Sequence, residues 1–389
     1  MLKKCLPVSA VAALLCWIGT LAFANFETSA RAVFIYDVAT GTVLFEKNAQ
    51  TPLPPASMSK IMTLNMMFEA VTDGRVSLDT RFRVSDRAHA MGGSTMFLDQ
   101  TDRPTVDELI KGIIVQSGND ASVVAAEGLA GSEEAFARLM NERGVAIGLK
   151  NSTFVNSTGW PNPNHRMSME DLGLIATRLV TEFPELYANF ALREWEYDGR
   201  APDNRFNRNP LLGLGIGGDG LKTGHTDEAG FGLVGSAVQG NRRVVFVFTG
   251  LDSARARADE AERVVSWAFR QFVEVPLAAE DDVIARADVW MGDQTQINLV
   301  VPEDFTVLVP ATQRDAGEAR VEYRGPLEAP ITQGDTVAEL VFSVEGLSDR
   351  RIPLVADRDV AFGGFLPRIR AASSLALQYA MEQVASFRE

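Results

Sequence analysis

The stretch FGLVGSAVQGNRRVVFVFT, residues 231–249, decides the fold of this chain. Two apolar runs flank Gly240-Asn241, a pair that favours a tight turn, so the stretch predicts a β-hairpin. Residues 257–273 follow, with apolar side chains at helical spacing. Because an apolar sheet face must be covered, we expect this helix to pack against the hairpin.

A second hairpin pattern lies near the other end of the chain, where residues 32–38 and 43–46 flank a turn that contains Gly41. In residues 56–70 and most of 75–185, the apolar side chains recur at helical spacing instead. Strands at both ends of a helical middle predict an α/β chain of the α+β kind. We expect an antiparallel sheet of sequence-distant strands, flanked by helices and carrying a helical subdomain.

The residue pattern changes in the last part of the chain. Residues 278–361 contain short apolar runs separated by Gly, Asp and Pro turns, which predicts a small all-β sandwich domain. Residues 362–389 again have apolar side chains at helical spacing and predict an amphipathic helix. This helix could lie on a membrane surface or pack against protein, and its sequence leaves both alternatives open.

The first residues are typical of an export signal. Lys3 and Lys4 precede an apolar run that ends in Ala22-Phe23-Ala24, a small-x-small cleavage pattern. We therefore expect residues 1–24 to be a signal peptide and residues 25–277 to form the main domain of an exported protein. An uncleaved membrane anchor is the alternative, since the apolar run is roughly long enough to span a bilayer.

The composition excludes several classes of protein. With 51 acidic and 37 basic residues, the chain has a net charge of −14, so nucleic-acid phosphates would repel it. Its only two cysteines, Cys5 and Cys16, lie in the predicted signal peptide, which excludes a disulfide-rich scaffold and a four-thiolate zinc site. We expect no cofactor and no metal.

Ser57-Met58-Ser59-Lys60 lies where a Pro-rich stretch enters a predicted helix. Side chains three residues apart share a helix face, so Ser57 and Lys60 can point into one site. The positive end of the helix dipole favours an alkoxide on Ser57 and a neutral Lys60, which could then take the serine proton. Alone the pattern is weak, because Ser57 could be a helix cap and Lys60 a solvated charge.

Two further motifs follow in sequence order. Ser117-Gly118-Asn119 lies at the junction of two predicted helices, where a hydroxyl and an amide could relay a proton and hold a carbonyl. Small polar residues at such a junction could also be helix caps. Lys222-Thr223-Gly224 is expected on a strand, where a cation beside a hydroxyl suits a carboxylate and Gly224 lets a ligand approach. An ordinary edge strand that bears a charge is the alternative.

The ordered set S-x-x-K, S-x-N and K-T-G resembles the motif set of penicillin-binding proteins and serine β-lactamases. The flanking residues resemble more narrowly the D-alanyl-D-alanine carboxypeptidases of peptidase family S11, the low-molecular-mass penicillin-binding proteins. The similar stretches are Pro55–Thr63, Gln116–Ala121, Met140–Asn141, Asn207–Asn209 and Asp219–Thr226. The resemblance covers roughly residues 26–275, and the β domain and terminal helix fit the subclass with a membrane-associated tail.

The resemblance implies a role for each motif residue in acyl transfer. Ser57 would be the nucleophile that forms an acyl-ester, and Lys60 would be its general base. Ser117 would pass a proton to the leaving D-alanine, and Asn119 would orient the substrate backbone.

The resemblance also implies how the substrate is bound. Lys222 and Thr223 would bind its terminal carboxylate beside Gly224, and the backbone N–H groups of Ser57 and His225 would form the oxyanion hole. The substrates would be peptidoglycan stem peptides that end in D-Ala-D-Ala, and β-lactams would be covalent inhibitors. The expected location is the periplasm, at the outer face of the cytoplasmic membrane.

Two alternatives remain beside this interpretation. A class A β-lactamase would need a deacylating glutamate, and Glu185 and Asn189 match the letters of its Glu-x-x-x-Asn motif. They lie in a segment whose pattern predicts a helix, whereas the lactamase motif lies in a loop, so we interpret the match as chance. A non-catalytic cell-wall-binding protein is the second alternative, and the intact motif residues argue against it.

Overall fold

The computed structural model describes residues 26–200, 202–314 and 317–364. Its helices are α1 (Lys60–Thr72), α2 (Asp86–His89), α3 (Val106–Lys111), α4 (Asn119–Ala130), α5 (Glu133–Ala146), α6 (Met169–Glu182), α7 (Pro184–Tyr187), α8 (Leu211–Leu214) and α9 (Ala254–Arg270). Its strands are β1 (Ala32–Asp37), β2 (Thr42–Lys47), β3 (Gly218–Thr226), β4 (Gly230–Gln239), β5 (Arg242–Leu251), β6 (Phe272–Ala278), β7 (Val283–Trp290), β8 (Gln296–Val300), β9 (Phe305–Pro310), β10 (Glu318–Glu322), β11 (Leu327–Glu328), β12 (Thr336–Ser343) and β13 (Arg350–Ala356).

The main sheet has the strand order β2-β1-β5-β4-β3, and each neighbouring pair is antiparallel. The N-terminal hairpin therefore pairs directly with the later one, so that Ile35 lies opposite Phe246. This arrangement confirms the predicted antiparallel sheet of sequence-distant strands. It leaves β3, with the third motif, at one edge of the sheet.

The strand β5 is apolar along most of its length because both faces of the sheet are covered. Phe246 and Phe248 belong to the core that α9 completes. Val245 and Val247 belong to the opposite core, which includes α1 and α6. Successive residues of a strand point to opposite faces, so an unbroken apolar run is what a doubly covered strand requires.

The helical subdomain is fixed by capped helix starts. At α3 the Thr105 hydroxyl accepts a hydrogen bond from the Glu108 N–H, and the Glu108 carboxylate accepts one from the Thr105 N–H. Ser132 and Ser168 cap α5 and α6 with their hydroxyls. The predicted helical middle is thus confirmed.

Two local expectations differ from the structure. The helix expected over residues 56–70 begins with a 3₁₀ turn at Ala56–Ser59 before α1. Phe272, expected near the end of the helix 257–273, instead opens β6. It pairs with Pro310 of β9, and its ring packs against Trp267 with centroids 4.9 Å apart. Pairing with a distant strand overrides the local helical spacing.

The residues after α9 that the structure describes form an all-β region, as predicted. Their larger sheet has the order β10-β12-β13-β8-β7-β11, and β6 pairs with β9 in a smaller one. Leu299, Leu340 and Leu354 are buried in its core. The Arg350 guanidinium contacts the main domain, where it donates a hydrogen bond of 2.9 Å to the Gly41 carbonyl.

The predicted signal peptide, residues 1–24, lies outside the described residues. So does the predicted terminal helix from residue 365 onward. Its first expected residue, Phe362, forms an isolated β-bridge with Gly292, so the helix does not begin there. Within the part of the chain that the structure describes, every helix is too short or too polar to span a membrane.

Candidate active site

Ser57 lies on the short 3₁₀ turn of residues 56–59, called here the Ser57 turn. It begins with Ala56 at φ 49°, a left-handed conformation that is unfavourable for a residue with a side chain. Two glycines allow neighbouring segments to contact this turn closely. A Cβ on Gly224 of β3 would lie 2.9 Å from the carbonyl oxygen just before the turn. A Cβ on Gly159 would lie only 1.8 Å from a carbonyl oxygen inside it.

Lys60, the first residue of α1, is completely buried. Its Nζ lies 2.9 Å from Ser57 Oγ. It also lies 2.7 Å from Asn119 Oδ1 and 2.8 Å from the Thr158 carbonyl oxygen. Burial lowers the pKa of Lys60 from 10.5 to about 7, and the nearby Arg208 guanidinium acts in the same direction.

These three contacts determine the direction of each hydrogen bond that a neutral Lys60 makes. An uncharged amine has two N–H groups and one lone pair. The oxygens of Asn119 and Thr158 can only accept, so they take the two N–H groups. The Ser57 hydroxyl can donate as well as accept, and it therefore donates to the lone pair. The arrangement aims the basic lone pair of Lys60 at the proton of Ser57.

The second motif occupies the junction of two helical segments, as predicted. After α3 the backbone continues as a π-helical turn over residues 112–116 and ends at Ser117, which is left-handed at φ 59°. Asn119 then opens α4, and its amide nitrogen donates a hydrogen bond of 2.7 Å to the Gly92 carbonyl. The amide oxygen is thereby turned toward Lys60. Ser117 and Asn119 are both buried.

The third motif lies on β3, the edge strand, as predicted. Lys222 is buried, and this burial lowers the pKa of its amine well below its ordinary value, with Arg208 and Lys60 adding repulsion. Its Nζ donates to the Thr223 carbonyl at 3.2 Å. His225 is exposed and stacks on Phe231 with ring centroids 3.8 Å apart.

A cavity of about 440 Å³ joins the three motifs. It is lined by the predicted site residues Ser57, Ser117, Thr223, Gly224 and His225. Lys60, Asn119 and Lys222 are buried beneath this lining. The structure therefore brings all eight predicted site residues to one place.

Comparison with known proteins agrees with this geometry. The sequence model described as D-alanyl-D-alanine carboxypeptidase, peptidase S11, matches residues 20–253. The chain belongs to the D-alanyl-D-alanine carboxypeptidase family. It is a hydrolase of the serine carboxypeptidase type. A second model, described as the C-terminal domain of penicillin-binding protein 5, matches residues 272–361.

The similarity to known carboxypeptidases extends over most of this chain. The chain is 36% identical to the D-alanyl-D-alanine carboxypeptidase DacC of Escherichia coli over 352 residues, which cover 88% of this chain and 87% of the relative. It is 34% identical to DacF of Bacillus subtilis, with 87% of each chain covered.

Solved structures give the same result. Penicillin-binding protein 5 of Haemophilus influenzae is 28% identical, with a TM-score of 0.77 over 87% of this chain and 100% of that one. Penicillin-binding protein D2 of Listeria monocytogenes in its ampicillin-bound form is 28% identical, with a TM-score of 0.57 over 63% and 100%.

Five residues that line the carboxypeptidase cavity were not among the predicted site residues, and three of them are polar. The polar ones are Ser94, Arg208 and Arg257. Arg208 donates hydrogen bonds of 2.9 Å to Ser94 Oγ and to the Gln116 carbonyl, which fixes its guanidinium behind Ser117. Its only sequence signal was the stretch Asn207–Asn209. Arg257 lies on α9 and gave no signal, because nothing in its local sequence distinguishes it from a solvated helix face.

His165 of the carboxypeptidase lies outside the three motifs, in the loop that precedes α6. It is buried, and its Nε2 lies 2.8 Å from Ser59 Oγ in the Ser57 turn. Its Nδ1 accepts a hydrogen bond of 3.3 Å from the Val155 N–H. Burial lowers the pKa of His165 to about 4. His165 is therefore neutral, and it ties the loop before α6 to the Ser57 turn.

The glutamate of the lactamase-like match does not reach the cavity. Glu185 is exposed on α7, and the Asn189 amide donates to the Leu186 carbonyl instead of to a catalytic group. Neither residue lines the cavity with Ser57. The match of letters is a chance one, as interpreted from the sequence.

Proposed function

We propose that this enzyme removes the terminal D-alanine from peptidoglycan stem peptides through an acyl-ester on Ser57, with Lys60 as the general base. One observation carries the proposal: a fully buried Lys60, with a pKa of about 7, points its amine at Ser57 Oγ from 2.9 Å. A base whose pKa lies near the working pH combines the correct protonation state with sufficient basicity.

The first step is attack of Ser57 Oγ on the carbonyl carbon between the two D-alanines. As the C–O bond forms, the hydroxyl proton moves to Lys60 Nζ. The carbonyl oxygen becomes an oxyanion, which the backbone N–H groups of Ser57 and His225 stabilise. Both residues line the cavity, and His225 lies on the edge strand β3, which supports this assignment.

The second step breaks the C–N bond and releases D-alanine. The leaving nitrogen needs a proton, and Ser117 lines the cavity where it can pass one on from Lys60. The acyl-enzyme remains, with the carbonyl carbon esterified to Ser57. Water then attacks this ester, the Ser57 hydroxyl is restored, and the shortened peptide leaves as an acid.

The terminal carboxylate of the substrate fits the charge distribution around the cavity. Arg208 and Arg257 line it, and Lys222 lies buried beside Thr223. Burial lowers the pKa of Arg257 to about 10, and Arg208 contributes. A bound carboxylate would relieve the repulsion among these cations and accept hydrogen bonds from them. We propose Thr223, Lys222 and Arg257 as its binding groups.

The same attack would open a β-lactam ring. Ser57 Oγ would bond to the lactam carbonyl carbon and the ring C–N bond would break, but the leaving nitrogen would stay tethered to the acyl group. The similarity to the ampicillin-bound protein of Listeria monocytogenes supports this extension. We therefore propose that β-lactams acylate Ser57.

We also propose the domain organisation and the location. Residues 1–24 would be a cleaved signal peptide, so that the enzyme works in the periplasm. The main domain would extend from residue 25 to the end of α9, and the β domain would begin with β6, because β6 pairs with β9. The terminal residues up to 389 would associate with the outer face of the cytoplasmic membrane.

The proposal is tested by release of D-alanine from an acetylated pentapeptide that ends in D-Ala-D-Ala. Ser57→Ala should release none, whereas the control Ser77→Ala, which changes an exposed serine after α1, should match the unmodified enzyme. Fluorescent penicillin should label the control and not Ser57→Ala. Release or labelling that persists in Ser57→Ala would contradict the proposed nucleophile.

A further inference from the structure

The edge strand β3 carries the third motif, yet it is paired on one side only. Within the described residues its one neighbour in the sheet is β4. The groups of Lys222, Thr223 and His225 that the proposed function uses therefore depend on the register of this single pairing. A slip of one residue would turn every side chain of β3 to the other face of the sheet.

The two strands carry few side chains that could fix this register. They contain six glycines, at 218, 220 and 224 of β3 and at 230, 232 and 235 of β4. Strands rich in glycine are prone to slip, because they present few side chains that must stay on one face. A contact from outside the pair can therefore determine where β3 lies along β4.

Asp219 makes such a contact at the start of β3. It is the extra residue of a β-bulge, because the register shifts between Gly218 and Gly220. Its carboxylate forms a two-pronged ion pair with the Arg243 guanidinium of β5. Oδ1 accepts from Nη1 at 2.9 Å, and Oδ2 lies 2.8 Å from Nη2. Since β4 lies between β3 and β5, this ion pair spans a whole strand.

Tyr187, at the end of α7, holds the same carboxylate from another side. Its buried hydroxyl donates a hydrogen bond of 2.8 Å to Asp219 Oδ1. Burial raises the pKa of this hydroxyl, so it stays protonated and remains a donor. The hydroxyl also packs on Gly220, where a Cβ would lie 2.6 Å from it. Arg243 is itself fixed by a hydrogen bond of 2.6 Å to Ser236 Oγ of β4.

We propose that Asp219 is a positioning residue, which fixes the register of β3 and so places Lys222 and Thr223 for the terminal carboxylate of the substrate. The proposal rests on the proposed function. Asp219 lies three residues before Lys222, about 10 Å along an extended strand, so it acts through the backbone of β3 and not by touching the substrate. Because a displacement of about 1 Å can lower a rate about a hundredfold, even a small shift of β3 would slow the reaction.

The experiment compares kcat/KM for diacetyl-L-Lys-D-Ala-D-Ala and for the same peptide with a terminal carboxamide. Both substrates give the same shortened peptide, which mass spectrometry quantifies. The ratio of the two values reports how well the carboxylate is held, and it does not depend on the fraction of the protein that is folded. Asp219→Ala should lower this ratio about tenfold. Asp219→Asn keeps one acceptor oxygen and Tyr187→Phe loses only the hydroxyl, so each should lower it about threefold.

Asp37→Asn is the matched control. Asp37 of β1 is buried and pairs at 3.0 Å with Arg242, the residue of β5 next to Arg243. The variant therefore disrupts a comparable Asp–Arg pair in the same sheet, away from β3. It should lower the free energy of unfolding and leave the ratio within about twofold. Hydrogen exchange gives a second readout: the amides of β3 should exchange faster in Asp219→Ala and not in Asp37→Asn.

Several outcomes would overturn the positioning role. An unchanged ratio in Asp219→Ala would do so, and so would equal falls in Asp219→Ala and Asp37→Asn. If the unmodified enzyme released D-alanine but processed the acid and the amide equally well, the carboxylate site would be wrong and the positioning role with it. Release from neither peptide by the unmodified enzyme would contradict the proposed function itself.

Discussion

The protonation state of Lys60 should control the rate at which Ser57 is acylated. The pKa of its amine falls from 10.5 to about 7 on burial. Since one pKa unit corresponds to about 1.4 kcal/mol, the surroundings disfavour the charged amine by about 5 kcal/mol. Below pH 7 the amine is mostly protonated and cannot accept the Ser57 proton, whereas above pH 7 it is mostly neutral and can.

The assay is the second-order rate of acylation by benzylpenicillin between pH 5.5 and 9, followed by mass spectrometry. We expect the rate to rise with pH, with a midpoint near 7 and about one tenth of the plateau value at pH 6. His165 does not contribute to this rise, because its pKa of about 4 lies below the range. Lys222 faces the same cavity and its pKa is also lowered, so the rise should be measured again in Lys222→Met.

The charge of Arg208 offers a way to change the pKa of Lys60 without changing Lys60 itself. Because its guanidinium lowers the pKa of Lys60, Arg208→Gln should move the midpoint upward, whereas Arg208→Lys should leave it nearly unchanged. A rate that is flat from pH 6 to 9 would contradict the role of Lys60 as the base. So would a rate that still rises about tenfold per pH unit at pH 9, or a rise that disappears in Lys222→Met.

Three further predictions concern the support of the site. Gly159→Ala should lower the free energy of unfolding, measured by urea titration, by about 3 kcal/mol, and it should abolish penicillin labelling, because its Cβ would lie 1.8 Å from a carbonyl oxygen of the Ser57 turn. The control Gly131→Ala has a similar φ but open space around its Cβ, and it should lower the free energy of unfolding by only about 1 kcal/mol. Glu133→Gln removes a buried carboxylate that pairs with half-exposed Arg87 and accepts hydrogen bonds from Ser157, and it should cost about 1–3 kcal/mol by thermal unfolding, against about 0.5 kcal/mol for Glu134→Gln, whose side chain is 60% exposed. Arg350→Ala should lower the free energy of unfolding by about 1 kcal/mol and leave D-alanine release unchanged; a loss of release would show that the β domain acts on the catalytic cavity.

Much of the fold follows from local patterns. The two hairpins could be predicted because each joins apolar runs through a short turn, and α9 because its apolar side chains recur at helical spacing. The C-terminal strands follow from turn residues between short apolar runs. Each of these signals is contained in a dozen or so neighbouring residues, so no knowledge of distant contacts is needed to read it.

The three motifs also identified the site, but not its geometry. The Thr158 carbonyl completes the contacts of Lys60, and a backbone oxygen leaves no trace in the sequence. The need for glycine at 159 follows from a contact with the Ser57 turn across more than a hundred positions of sequence. Arg257 reaches the cavity only because α9 packs on β4 and β5 of the main sheet.

The causes of the Lys60 pKa were likewise only partly predicted. The helix dipole was the expected cause, whereas burial is the largest one and Arg208 the second. Burial of an amine depends on everything that surrounds it, here α4, the loop before α6 and β3. Such an environment exists only once the chain has folded, so a sequence motif can indicate the base and not its strength.

The central claim, that Ser57 forms the acyl-ester, is tested most directly by locating the β-lactam adduct. The protein would be treated with benzylpenicillin, digested, and sequenced by tandem mass spectrometry. We expect one adduct per chain, with the mass of the intact drug, on the peptide that contains Ser57. An adduct on Ser117 or on another residue, or full turnover of the drug with no adduct at any time, would contradict it.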